Sequence, residues 1–319
     1  MNADPGVSGG YLVPGNGRRQ GFARTVLKTL RRPQFQFGAI TLTPILIWYS
    51  VFVLWSVIQG FRIALIHYRI VDPGRSRFVG LDNFRYLFDD PLFPVALKNS
   101  LVWGLLGIVV TIPVALAISL CLVNVKRGRN LYQTLIFVPV VLSLISVVLL
   151  IKVLFDPQIG PVNALLSALH LPTSQWLSNS STALPTAVGI GIWKGIGVTI
   201  VILTAGLLNI PGEVNDAARV DGAGPFGRFW HITLPLLQPT LNLILILGVI
   251  GGLQEFTLPQ TLTQGGPDNA TYLLNIYIYN LAFTTLQFSQ AAAAALVEFG
   301  ITLALTLLTL RVTRVKWSY

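Results

Sequence analysis

The sequence has almost no sulfur and very little charge. Its 319 residues include one cysteine, one methionine and three histidines. A lone Cys121 excludes an intrachain disulfide and any metal site built from several thiolates. It lies in an apolar run, where a small hydrophobe is expected to pack. His67, His170 and His231 have no spacing that resembles metal ligation. Charged residues are 11% of the chain, too few to coat a soluble domain of this size. No Gly-x-x-x-x-Gly-Lys-Ser/Thr phosphate loop occurs, so the chain lacks the parts for hydrolysing ATP itself. Nor does a Ser/His/Asp or paired-carboxylate set suggest an enzyme. A cleavable leader is not expected, because the first apolar run starts near residue 35 and is longer than a leader's core.

What the chain has in quantity is apolar surface, at 53% of residues. A spanning helix needs about 20 mostly apolar residues, and six such runs occur, near 38–61, 99–123, 131–153, 184–209, 236–257 and 288–310. None shows strand-like alternation, and a helix satisfies its own backbone groups in lipid. The expected fold class is therefore all-α, a polytopic membrane protein of six transmembrane helices over residues 35–319. Residues 1–34 form a basic tail rich in Gly, Asn and Arg, expected to lack a fixed fold.

The net charge of +10 does not point to nucleic acid, because the cations sit beside apolar runs rather than among aromatics. They orient the chain instead. The tail (Arg18, Arg19, Arg24, Lys28, Arg31, Arg32) shares a face with Lys126, Arg127 and Arg129, with Arg219 and Arg228, and with Arg311, Arg314 and Lys316. This face outnumbers the other, where Arg62, Arg69, Arg75, Arg77, Arg85 and Lys98 share one long loop with four aspartates and Lys152 stands apart. The positive-inside rule then places both termini in the cytoplasm. The basic tail also suits anionic lipid headgroups. Lys152 and Lys194 suit snorkelling to an interface.

The cytoplasmic connection between the fourth and fifth runs, 211–235, reads as two short helices. Pro211 suits a first turn, and Glu213 and Asp216 complement the helix dipole near that end. Ala217 and Ala218 allow close approach of another surface, and Gly222-Ala-Gly-Pro225 ends the first helix. A second stretch presents Phe226, Phe229, Trp230 and Ile232. By these residues alone the segment suits either a helix lying on the membrane or insertion into a partner's groove.

The same segment resembles the "EAA" loop of binding-protein-dependent ABC importer permeases. Asp216-Ala217-Ala218, then Gly222, then Ile232, Leu234 and Pro235 match that pattern at every spacing. Arg219, Asp221, Gly222 and Ala223 are similar to the form usual in the sugar-importer branch. Asp216 stands where Glu is usual, one methylene shorter. Phe78-Val-Gly-Leu-Asp-Asn-Phe84, Phe137-Val-Pro139, Phe155-Asp-Pro-x-x-Gly-x-x-Asn163 and Leu262-Thr-Gln-Gly-Gly-Pro267 resemble further motifs of these permeases, so the likeness covers roughly 38–310. The usual Gly-Tyr near the start of the sixth span is replaced by Ser289-Gln290.

The resemblance implies the type I ABC importer transmembrane fold in a bacterial inner membrane. It implies a heterodimer with a second permease, two copies of a cytoplasmic ATPase that bind ATP and Mg, and an extracytoplasmic solute-binding protein. The solute would be a sugar, an acidic sugar or glycerol-3-phosphate. Asp216, Ala217, Ala218, Arg219, Asp221 and Gly222 would seat the loop in the ATPase, and Ile232, Leu234 and Pro235 would tie it to the fifth span. Solute-path candidates are Glu298 inside the sixth span, Gln254 and Glu255 ending the fifth, and Trp193, Asn275, Tyr277 and Tyr279. Each has a structural alternative: a helix-to-helix hydrogen bond for Glu298, an ordinary helix end for Glu255, an aromatic belt for the tyrosines. An ion-coupled secondary transporter, the rival class, would need paired acidic groups near the midplane, and only Glu298 fits.

Overall fold

The computed structural model describes residues 33–313, apart from 70, 71, 73, 75 and 126. The basic tail up to residue 32, with Arg75, Lys126, Arg314 and Lys316, lies outside the described residues. The chain divides into two units, residues 1–59 and 60–319. Most of the first spanning helix, α1 (Ile40–Ala64), belongs to the first unit. Within it, Thr41 and Ser56 donate to carbonyls four residues back, those of Phe37 and Phe52, so their hydroxyls are satisfied inside the helix, as lipid requires.

In the second unit a two-stranded ribbon, β1 (Ile66–His67) and β2 (Arg77–Phe78), precedes α2 (Asp82–Asp89). The Phe78–Phe84 motif explains itself here. Gly80 takes a left-handed φ of +59°, and Asn83 donates to the carbonyls of Ala64 and Ile66 at 2.8 and 3.0 Å. Next comes α3 (Leu92–Asn124), 33 residues long. At about 1.5 Å per residue it exceeds a hydrocarbon core of about 30 Å. It therefore begins before the expected 99, and Lys98 lies within it. Cys121, expected to pack, faces outward.

The third run, expected as a span over 131–153, is broken rather than straight. It consists of α4 (Arg129–Val141) and α5 (Leu144–Leu154), bent by 91°. Pro139 removes a helical donor, and Leu142 and Ser143 are extended, with ψ of 142° and 129°. Carbonyls freed at such a break need partners. Lys194 supplies them, donating from Nζ to Pro139 O, Val140 O and Leu142 O at 3.3, 3.4 and 3.2 Å. Snorkelling was the expectation for Lys194. The cation instead caps the negative end of a half-helix.

After α5 the Phe155–Asn163 motif builds a self-contained turn leading into α6 (Pro161–Ala168). Asp156 Oδ1 accepts from Gln158 and Ile159 N–H at 2.9 and 3.0 Å, and these donors hold its carboxyl below the usual range. Asn163 donates to Pro157 O and Ser174 O and accepts from Trp176 Nε1 at 2.8 Å. Its motif role is structural.

The fourth span is α7 (Ser180–Leu208), followed by α8 (Gly212–Val220) and α9 (Pro225–Leu236). After these come α10 (Gln238–Leu253), α11 (Thr257–Leu262), α12 (Leu274–Tyr279) and α13 (Phe288–Val312). α3 packs along α7 and α10, while α13 lies against α10 and α2. Between lipid-embedded helices, close backbone approach replaces the hydrophobic drive. A Cβ on Gly252 would lie 2.7 Å from Gly104 Cα, whereas one on Gly251 would meet nothing. We expect Gly252→Ala to cost about 1–3 kcal/mol by overpacking and to lower the thermal midpoint in detergent. Gly251→Ala should leave it unchanged; equal midpoints would mean that the two helices separate freely.

Candidate functional site

The 211–235 segment starts with Pro211 as the N-cap of α8. Its end is a Schellman turn. Gly222 N–H donates to Arg219 O at 3.1 Å, Ala223 N–H donates to Ala218 O at 2.9 Å, and Gly222 has φ +78°. Much of the Asp216–Ala223 pattern therefore encodes a helix stop. Ala218 is buried, and the Asp216–Arg219 pair at 3.5 Å is exposed, which makes it worth at most a few tenths of a kcal/mol. What the turn leaves outward is apolar: Val220 is 89% exposed, Phe226 76% and Trp230 50%. Asp221 and Gly222 are exposed beside them, and a Cβ on Gly222 would meet nothing among the described residues.

α9 then bends by 64° into α10. Ile232 and Leu234 are half-buried and Pro235 is exposed. The residue at the elbow is Leu237, fully buried against Leu203, Leu207 and Leu122. A Cβ on Gly206 would lie 2.9 Å from Leu237 Cδ1, so the elbow is seated directly on α7. Sequence reasoning missed Leu237, because Leu236-Leu237 opens an apolar run and nothing local ranks its members.

Two cavities open beside the helices. One, of about 320 Å³, lies between α3, α7 and α10. Its walls are apolar and glycine-rich, with Trp103, Thr111, Thr199 and Glu255 as its polar groups. Glu255 Oε1 also accepts from Leu258 N–H at 3.0 Å, holding the first turn of α11. The other is an open cleft of about 450 Å³ lined by Gln254, Asn275 and Glu298 together with Phe256, Tyr279 and Phe283. Glu298 is 8% exposed and accepts from Asn275 Nδ2 at 3.0 Å. The rings run as a ladder, Phe256 to Tyr279 at 5.2 Å and Tyr279 to Phe283 at 5.1 Å.

Thus Gln254, Asn275, Tyr279 and Glu298, scattered over two helix ends and a span, share one cleft, and Glu255 lines the other cavity. Trp193, 45% exposed, lines neither. Tyr277 departs from the solute-path expectation. It is 2% exposed and donates to Asp90 Oδ2 at 2.8 Å, with its ring 5.8 Å from Phe93, so it is a strut between α12 and the start of α3. Phe256 and Phe283 were missed. Phe256, two residues beyond Gln254, was the available signal.

Residues 107–316 match the family model described as binding-protein-dependent transport system inner membrane component. The lactose transport system permease LacF of Rhizobium radiobacter is 32% identical over 284 residues, 86% of this chain and 93% of that one. The diacetylchitobiose uptake permease NgcF of Streptomyces coelicolor is 31% identical, over 83% of this chain and 79% of that one. A solved bacterial alginate ABC transporter, in complex with an alginate pentasaccharide-bound periplasmic protein, has a chain that superposes with a TM-score of 0.77. It is 24% identical and covers 90% of this chain and 96% of that one, a likeness of fold. The outward residues of 211–235 thus belong to a chain whose fold and sequence both match such transporters: it is a member of the inner-membrane permeases of binding-protein-dependent ABC importers, in the sugar-importer group.

Proposed function

We propose that the chain forms half of the translocation path of an ATP-driven carbohydrate importer and receives ATPase motion through residues 211–235. The observation that carries this reading is the pairing of an outward apolar surface (Val220, Phe226, Trp230) with an elbow at Leu237 buried on α7. A surface of that kind is expected to be covered by a partner. A rigid elbow transmits displacement to the spans on either side of the first cavity. Arg228 Nε, buried without a hydrogen-bond partner among the described residues, is a further donor for such a partner.

In this proposal the exposed Asp216, Ala217, Arg219, Asp221 and Gly222 form the docking edge, Ala218 packs behind it as the buried support of the turn, and Ile232, Leu234 and Pro235 lead into the elbow. Two copies of a cytoplasmic ATPase hold ATP and Mg, a second permease completes the path, and a solute-binding protein delivers the sugar outside. Both termini are cytoplasmic. ATP acts by preferring one of two states of the helices. The sugar class is supported by relatives named for lactose and diacetylchitobiose uptake.

The test is uptake by the complete importer in proteoliposomes. Accumulation is expected to require ATP on the side of the ATPases and to persist when sodium and proton gradients are collapsed. Uptake that follows an ion gradient without ATP would instead establish a secondary transporter.

A further inference from the structure

These two cavities each carry a carboxylate, Glu255 in the first and Glu298 in the second, and among the described residues no lysine, arginine or histidine lines either. The cations of the nearby helices are directed elsewhere. Lys98 and Lys152 line neither cavity, and Lys194, on the helix that walls the first, turns its ammonium onto the α4–α5 break. An anionic sugar or a phosphate ester entering such a path would shed its hydration shell with no positive partner and two acidic neighbours.

The second cleft has the opposite suitability for a non-acidic sugar. Gln254, Asn275 and Glu298 gather amide and carboxyl groups on one side. Phe256, Tyr279 and Phe283 set ring faces beside them. Apolar ring faces match the C–H faces of a pyranose, and the polar groups match its hydroxyls or an amine. Ring faces with a carboxyl also favour a cation over an anion. Lipid is a poor occupant, because amides and a carboxyl facing hydrocarbon are costly.

We infer that Glu298, with Asn275 and Gln254, makes the second cleft a sugar-ring subsite, and that Glu298 and Glu255 together exclude acidic sugars and phosphate esters from the path. The inference rests on the proposed reading of the chain as a carbohydrate path and narrows the solute to uncharged or amine-bearing saccharides.

The test begins with the importer's own solute-binding protein, purified from its cells and denatured, with the released sugar identified by mass spectrometry. A neutral or amine-bearing sugar is expected; a uronate or a phosphorylated sugar overturns the inference. That sugar, radiolabelled, is then the probe for uptake by the complete importer. Glu298→Gln is expected to raise its KM about tenfold, the scale of one hydrogen bond to a charged group. Tyr279→Ala, which removes one ring and no charge, is expected to raise KM as well. A KM unchanged in both variants, in protein of wild-type thermal midpoint, overturns the subsite. If ATP fails to drive uptake by the wild type, the coupling proposal falls separately. Equilibrium binding of the same sugar to the purified permease pair, wild type against Glu298→Gln, would then decide the subsite.

Discussion

Lys194→Met is expected to lower the thermal midpoint of the solubilised permease sharply and to abolish most uptake. The ammonium serves three carbonyls at the end of α4, those of Pro139, Val140 and Leu142. Methionine fills similar volume but donates nothing, so the carbonyls at a 91° break inside the membrane lose their partner. Hydrogen bonds to charged groups contribute about 1.5–3 kcal/mol each. Because Lys194 is half-exposed and its three bonds share one charge, the net loss is set at roughly 2–4 kcal/mol. Gly197, one turn further along α7, admits no Cβ against Ile136 O without a 2.8 Å contact, so α4 and α7 cannot shift toward each other to compensate. Lys152→Met is the control, because Lys152 is exposed and not part of the break. Lys194→Arg should retain part of the midpoint. A melt of Lys194→Met that matches the wild type would show that Pro139 and packing hold the bend without the cation.

Gly222→Asp is expected to leave insertion and folding near wild type while reducing uptake to near background. Its backbone cost is small: φ is +78°, and Asp tolerates the left-handed region better than most residues at about 1 kcal/mol. Among the described residues no atom lies within 4 Å of the added Cβ. The side chain must therefore act on whatever covers the exposed edge formed with Val220 and Phe226. The measurement is ATP hydrolysis by the complete importer with and without loaded binding protein, alongside uptake. Hydrolysis that persists while sugar no longer moves is the expected result. Full uptake by correctly inserted Gly222→Asp would remove the coupling role from this turn. Asp216 makes a separate comparison. Its only partner in the described structure is Arg219 at 3.5 Å, so Asp216→Glu should preserve stability and report on docking alone.

Much of this was legible along the chain because it is written in local chemistry. Apolar runs mark helices wherever water is absent, and the Gly222 stop follows from the need of a left-handed residue after α8. The Asp156 and Asn163 turn is equally local: its hydrogen bonds close within 13 residues. The bend within the third run was not legible because the single Ser143 leaves the run apolar as a whole, and hydropathy reports membrane residence rather than direction. Pro139 permitted the break without requiring it.

By itself the sequence determined the membrane class, the helical runs, the position of the 211–235 loop and its family. Only the tertiary structure decided what each polar side chain in the helices does. Tyr277 was a solute candidate until it met Asp90, 187 residues away, and Lys194 was a snorkelling candidate until it met carbonyls 52 to 55 residues away. Gln254, Asn275, Tyr279 and Glu298 became one cleft only when α10, α12 and α13 were brought side by side. The reason is physical. In water the apolar stripe of a helix points to its neighbours, but in lipid both the outer and the inner faces are apolar. Helix rotation is then set by close contacts such as Gly104 on Gly252 and Leu237 on Gly206, which no local pattern announces.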